Sequence, residues 1–229
     1  MNEQVTPAGY GYALPSAQER NRVLRNTYWL LALSLIPTVL GAWVGVATGI
    51  TRSMTGGLGL VVFLGGAFGF MYAIEKTKNS SAGVAVLLAF TFFMGLMLSR
   101  IIAMVLGFRN GPSLIMTAFG GTAGVFFVMA SLSTMIKRDL SGFGKFLFVR
   151  AMALVIGSII NVFVGSTTGM LVISVMAIGL FSGFMLYDLK RIVDGGETNY
   201  ITATLALYLD AFNVFQSLLA LLGLAGSND

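Results

Sequence analysis

The sequence predicts an all-α integral membrane protein of seven transmembrane helices, with the last helix at the centre of the bundle. Three observations lead there. Only 10% of the 229 residues are charged and 56% are hydrophobic, with a mean hydropathy of +0.87, whereas an ordinary soluble domain is about a quarter charged. Apolar runs of about 20 residues recur along the chain, each matching the roughly 30 Å of hydrocarbon that a helix must cross. The last run, Ile201–Leu222, is uncharged except for Asp210. An acid in hydrocarbon costs about 2.5–3.5 kcal/mol even on lenient insertion scales, so it faces the bundle interior and marks a functional position.

Composition also narrows the chemistry. Cysteine and histidine are both absent, which removes disulfides, thiolates, imidazole bases and the usual zinc and copper ligands. Proton chemistry or cation binding therefore falls to carboxylates, amides, hydroxyls and backbone carbonyls. The net charge of +5 comes from basic residues scattered between apolar runs, with no patch that would hold nucleic acid. Their distribution instead reads as membrane topology.

Residues 1–20 hold Pro7, Pro15, Gly9 and Gly11 and few apolar groups, and are expected to be a flexible cytoplasmic tail before a transmembrane domain over 21–229. The first apolar run, about Asn26–Ala47, is too long for a cleaved signal peptide and carries Pro37, a kink position. Helix 2 is expected over Leu58–Ile74 and helix 3 over Ala82–Leu106, with Arg100 either snorkelling to the interface or reaching an acid in the bundle. Gly111-Pro112 starts helix 4, which ends near Met135. Helix 5 is expected over Phe146–Val164 with Asn161 on it, helix 6 over Met170–Val193, and helix 7 over Ile201–Leu222.

With the N-terminus inside, the cytoplasmic segments collect Arg20, Arg22, Arg25, Lys76, Lys78, Lys137, Arg138, Lys145, Arg150, Lys190 and Arg191. Only Arg52, Arg100 and Arg109 fall outside. Lysine and arginine are retained on the cytoplasmic side, so this bias orients the chain N-in. Seven crossings then put the C-terminus outside, unless the last segment re-enters. Gly41/Gly45, Gly65/Gly69, Gly120/Gly124 and Gly179/Gly183 have the Gly-x-x-x-Gly spacing that lets helices approach closely, and all four pairs are expected to be packing surfaces.

On helix 7, Thr202, Ala206, Asp210, Asn213 and Ser217 follow steps of three and four, a narrow polar stripe on an otherwise apolar helix. Helix 6 ends with a second acid, Asp188, beside Tyr187. In an antiparallel hairpin centred near Glu197 the two acids are offset by roughly 6 Å, which a delayed start of helix 7 or a bend in helix 6 would close. If they meet, they cannot both ionise cheaply, so they share one proton and titrate as a pair. The shared proton clamps helix 6 to helix 7. With both ionised they repel, or hold a hard cation such as calcium. The plainer alternative for Asp188 is an interfacial acid beside Lys190 and Arg191.

Phe184-Met-Leu-Tyr-Asp188 and Leu205-Ala-Leu-Tyr-Leu-Asp210-Ala-Phe-Asn213-Val-Phe-Gln-Ser-Leu-Leu219 resemble the signature of the Bax inhibitor-1, or transmembrane Bax inhibitor motif, family. Val23-Leu-Arg-Asn-Thr-Tyr28 and Gly195-Gly-Glu-Thr-Asn-Tyr-Ile201 further resemble its bacterial branch named for YccA. The resemblance implies a seven-helix fold with a central last helix and an aspartate pair, here Asp188 and Asp210, sensing pH for a calcium leak. Tyr187, Thr202, Asn213 and Ser217 would be its supporting polar groups. Arg100, Lys76 and Arg150 are the candidates for the basic partner found in some relatives. The bacterial branch implies a bacterial inner-membrane location and a second role, modulating the membrane protease FtsH by protein contact. The aspartates also echo intramembrane aspartyl proteases, which use Gly-x-Gly-Asp where this chain has Leu207-Tyr-Leu-Asp210. The expectation is therefore a protein that is not an enzyme and has no resident cofactor, with calcium as a transported ion.

Overall fold

The computed structural model describes residues 16–52, 54 and 56–226. Among these the chain forms seven α-helices and no strand: α1 (Ala17–Thr48), α2 (Gly56–Thr77), α3 (Ser81–Leu106), α4 (Gly111–Met135), α5 (Ser141–Val164), α6 (Thr167–Val193) and α7 (Tyr200–Gly226). All seven are long and apolar enough to cross a membrane. Even α2, with 22 residues, extends about 33 Å at 1.5 Å per residue.

Local chemistry sets the ends. The Ser16 hydroxyl accepts the Glu19 N–H at 3.2 Å while the Glu19 carboxylate accepts the Ser16 N–H at 2.7 Å. This reciprocal capping box starts α1 at Ala17, nine residues before the expected Asn26. Arg20, expected in the tail, is therefore helical, as are Arg22 and Arg25; residues 1–15, where the rest of that expectation falls, lie outside the described residues. At the other end Gly49 takes φ 66° and donates to the Gly45 carbonyl, a left-handed termination that favours glycine. Helix α4 runs over its expected span, with Pro112 in its first turn. Helix α5 starts at Ser141 and not at Phe146, because charged residues near a helix end need not break it. Lys145 stays exposed, and the Arg150 guanidinium lies 3.2 Å from the centre of the Phe146 ring.

The last segment is one uninterrupted helix of 27 residues, long and apolar enough to cross, without the break in the helix that a re-entrant segment would need. Helix α7 packs against α1, α2, α3, α4 and α6, so it sits inside the ring of the others, as expected. Helix α5 packs against α6 and α2 and, among the described residues, not against α7. Outward faces stay apolar: Trp29, Trp43, Phe68, Phe127 and Phe163 are all exposed, a surface for lipid and not for water.

Glycine allows the closest crossing, between α1 and α3. A Cβ on Gly41 would land on the Phe92 carbonyl, one on Gly45 on the Ser99 side chain, and one on Gly95 on the Thr38 carbonyl. The other glycine pairs behave differently. Added Cβ atoms at Gly65, Gly69, Gly120, Gly124 and Gly179 would meet nothing within 4 Å, and one at Gly183 would touch only side chains, the nearest being Leu147 of α5. Their neighbours Gly66, under the Phe93 ring, and Gly121, beside Leu218, make the contacts instead. Spacing identifies a smooth helix face; it does not say whether a helix or lipid lies against it.

Replacing Gly95 by valine should therefore drive a side chain into the α1 backbone and destabilise the bundle by about 1–3 kcal/mol or more. Gly65→Val, on an open face, should be near neutral. Thermal unfolding of both variants in the same detergent checks this, and equal melting temperatures would contradict it.

Candidate functional site

The hairpin of α6 and α7 builds the site. Asn199 sets its turn: its side-chain oxygen accepts the Ile201 and Thr202 N–H groups at 2.9 and 3.2 Å, capping α7. The Asn199 amide reaches across to the Lys78 carbonyl and the Asn79 side chain, both at 3.0 Å. The start of α7 is thereby tied to the α2–α3 turn.

The structure brings Asp188 and Asp210 together, within reach of a hydrogen bond between their side chains. Asp188 lies five residues before the end of α6 and Asp210 ten after the start of α7, a depth difference of roughly 7.5 Å. Helix α7 does not start late, so the first expected remedy is not the one used. Every Cα–Cβ bond tilts toward the N-terminus of its own helix. In this antiparallel pair Asp188 therefore leans deeper into the bundle while Asp210 leans back toward the turn, and the two side chains converge.

The surroundings are dry. Asp210 is 5% exposed and sits one turn from Leu207 and one turn from Val214, which cluster with Met185 and Leu189 of α6, all fully buried. Neither neighbouring cation forms an ion pair with Asp188. Lys190 pairs with Asp194 at 2.6 Å and Arg191 with Glu197 at 3.2 Å, so Arg191 and Glu197 act on Asp188 only through space. The plainer reading of Asp188, an interfacial acid beside Lys190 and Arg191, keeps these neighbours but has no direct ion pair with either. One oxygen of Asp210, Oδ2, is buried with no hydrogen-bond donor among the described residues. A buried carboxylate oxygen without a donor is costly. A proton held between the two carboxyls would be such a donor.

The other expected residues divide. Asn213 donates from Nδ2 to the Leu209 carbonyl at 2.7 Å, and Thr202 donates to the Asn199 carbonyl at 3.0 Å; both serve their own helix. Tyr187 turns the other way, its ring lying over Gly144 of α5 and packing with the Leu147 and Leu154 cluster. Ser217 is half-buried, two turns beyond Asp210. Arg100 is a correction: it is exposed and donates to the Met54 carbonyl at 3.3 Å in the α1–α2 loop. Asp188 instead has Arg191, one turn along its own helix.

Sequence reading missed the groups that hold α7 in place. Tyr208 is 2% exposed; its hydroxyl shares a 2.9 Å hydrogen bond with Thr38 of α1 and lies 3.4 Å from the Thr91 carbonyl of α3. Thr204 donates to the Tyr200 carbonyl at 2.6 Å and reaches the Thr27 carbonyl of α1 at 3.4 Å. The signal was present: a tyrosine in the middle of an apolar helix needs a partner for its hydroxyl. Among the described residues no group of three or more acidic side chains comes together. Two carboxylates fall short of the six to eight oxygens that calcium takes.

Comparison with known proteins places this arrangement. The model of the family described as inhibitor of apoptosis-promoting Bax1 matches residues 20–228. A Vibrio cholerae protein described as an uncharacterized membrane protein is 37% identical over 217 residues, 95% of this chain and 96% of its own length. The modulator of FtsH protease YccA from Escherichia coli K12 is 38% identical over 205 residues, 90% of this chain and 91% of its own. The same figures hold for the inner membrane protein YccA of Escherichia coli O6:H1. A seven-helix membrane bundle, matched over nearly its whole length by the family model and by these relatives, belongs to the Bax inhibitor-1 family.

Proposed function

We propose that this chain is a pH-sensitive calcium leak of the bacterial inner membrane, gated by the Asp188–Asp210 pair. The observation that carries the reading is the meeting of two carboxyls between α6 and α7, with no cation paired to either and one oxygen lacking a donor. With one proton between them the pair ties α6 to α7. When that proton leaves, like charges sit side by side in a medium that screens them poorly, and the helices separate. A passing calcium ion is the natural counter-charge for the ionised pair. The lysine and arginine distribution supports a cytoplasmic N-terminus and puts the α6–α7 turn on the cytoplasmic side.

The sign follows. Protonation makes the latch, so leak should rise as pH rises through the titration of the pair. In Asp210→Asn the amide donates to Asp188 at every pH and removes one of the two titrating groups. Calcium flux into liposomes loaded with an indicator dye should then become flat with pH. On the alkaline side it should be roughly tenfold or more below wild type, the population change that a charge-assisted hydrogen bond of about 1.5–3 kcal/mol commands. Flux identical to wild type at every pH would overturn the gate.

A second reading has its own support, the relative named as a modulator of FtsH protease at 38% identity. In this reading the chain contacts FtsH and slows its degradation of membrane substrates. Removal of residues 1–15, which leaves the Ser16 cap of α1 in place, should restore substrate turnover toward the rate without this chain. Turnover that is the same with the full chain, the shortened chain and no chain would contradict it.

A further inference from the structure

We propose that the cleft between the first turns of α1 and the α6–α7 turn is a binding site for a phosphate group, carried by a lipid headgroup or free in solution. The cleft has a volume of about 430 Å³ and is lined by Arg20, Arg22, Asn26, Thr198 and Tyr200 together with Glu19 and Glu197.

Each of its two acids already accepts a hydrogen bond, Glu19 through one oxygen and Glu197 through both. Glu19 accepts the Ser16 N–H at 2.7 Å. Glu197 accepts from Arg191 at 3.2 Å through one oxygen and from the Asn199 N–H at 2.9 Å through the other. Most of the donors are unpaired. Arg20 has five N–H bonds and spends one, a 3.3 Å bond from Nη1 to the Val193 carbonyl. Its Nε is buried with no partner. The side chains of Arg22, Asn26, Thr198 and Tyr200 have no hydrogen-bond partner among the described residues.

The unpaired groups of the cleft are therefore mostly donors, two guanidinium groups among them, against one carboxylate oxygen of Glu19 that accepts nothing among the described residues. A phosphate, with oxygens accepting in several directions, offers two arginines and flanking hydroxyls more acceptors than a carboxylate does, and arginine is suited to grip it bidentately. The cleft lies at the helix ends, where the headgroups of a bilayer stand. Val193, which Arg20 holds, is the last residue of α6, so an occupant that draws on Arg20 acts at the end of the helix that carries Asp188.

The test uses the full chain, purified in a detergent free of phosphate. In one arm, native mass spectrometry counts phosphatidylglycerol retained by wild type, with a phosphate-free glycolipid as control. In the other, inorganic phosphate is titrated while the melting temperature is followed. Arg20→Gln and Arg22→Gln should each weaken binding about tenfold in whichever arm wild type responds, while Arg109→Gln, at the opposite end of the bundle, should not. A lipid response alone assigns the site to a headgroup; a response to inorganic phosphate assigns it to a soluble source. Arg22 is exposed, so its variant keeps the test meaningful if Arg20→Gln lowers stability by itself. No binding in either arm, or variants that bind as wild type does, would overturn the proposal.

Discussion

Two carboxyl groups facing each other in an apolar core, with every neighbouring cation paired elsewhere, is the constraint on which the rest of this structure turns. Neither Lys190 nor Arg191 is free to neutralise Asp188 by direct pairing, and Asp210 has no basic side chain bonded to it among the described residues. Charge in such a place must be shed or shared. The same residues in water would be unremarkable acids; beside Met185, Leu189, Leu207 and Val214 they are, in the function proposed, a joint that a single proton makes or breaks.

How the two helices are held gives that joint its mechanical sense. Helix α7 is fastened to its surroundings by polar bonds: Tyr208 to Thr38 and Thr91, Thr204 to Thr27, and Asn199 to the α2–α3 turn. Helices α1 and α3 are themselves locked through Gly41, Gly45 and Gly95. Helix α6 meets α7 through apolar side chains and the acid pair, and its end is held by the Arg20 bond to Val193. Apolar contacts slide at less cost than buried hydrogen bonds break. In the function proposed, separation of the pair would move α6 and the α5 that rests on it against a frame of α1, α3 and α7.

Much of this was legible in the residues before any coordinates. Seven apolar runs gave seven helices, and Gly111-Pro112 marked the start of α4 at the right place. Helices α1 and α5 both start earlier than hydropathy predicts, because charge near a helix end does not stop it. Lys145 lies inside α5, and Ser16-x-x-Glu19 is a helix-start signal in the sequence itself. The Gly-x-x-x-Gly pairs showed where approach is permitted and not where a neighbour stands; only Gly41/Gly45 has both glycines against the backbone or side chains of a partner helix at short range. The acid pair could be named from sequence but not closed, since spacing gives the offset along the helices and not the direction in which each side chain leans. Arg100 went astray for a related reason: its partner is a backbone carbonyl in a distant loop, which no side-chain pattern announces.

The chain has no cysteine, so paired spin labels can be introduced without background. With labels at Lys145→Cys on α5 and Ala82→Cys on α3, both exposed, the pulsed dipolar distance between them reports whether the α5–α6 unit leaves the frame. The expected result is a distance that lengthens from acid to alkaline pH and stays at its short value throughout in the Asp210→Asn background. One and the same distance at all pH values in both backgrounds would contradict a bundle whose shape is set by a shared proton.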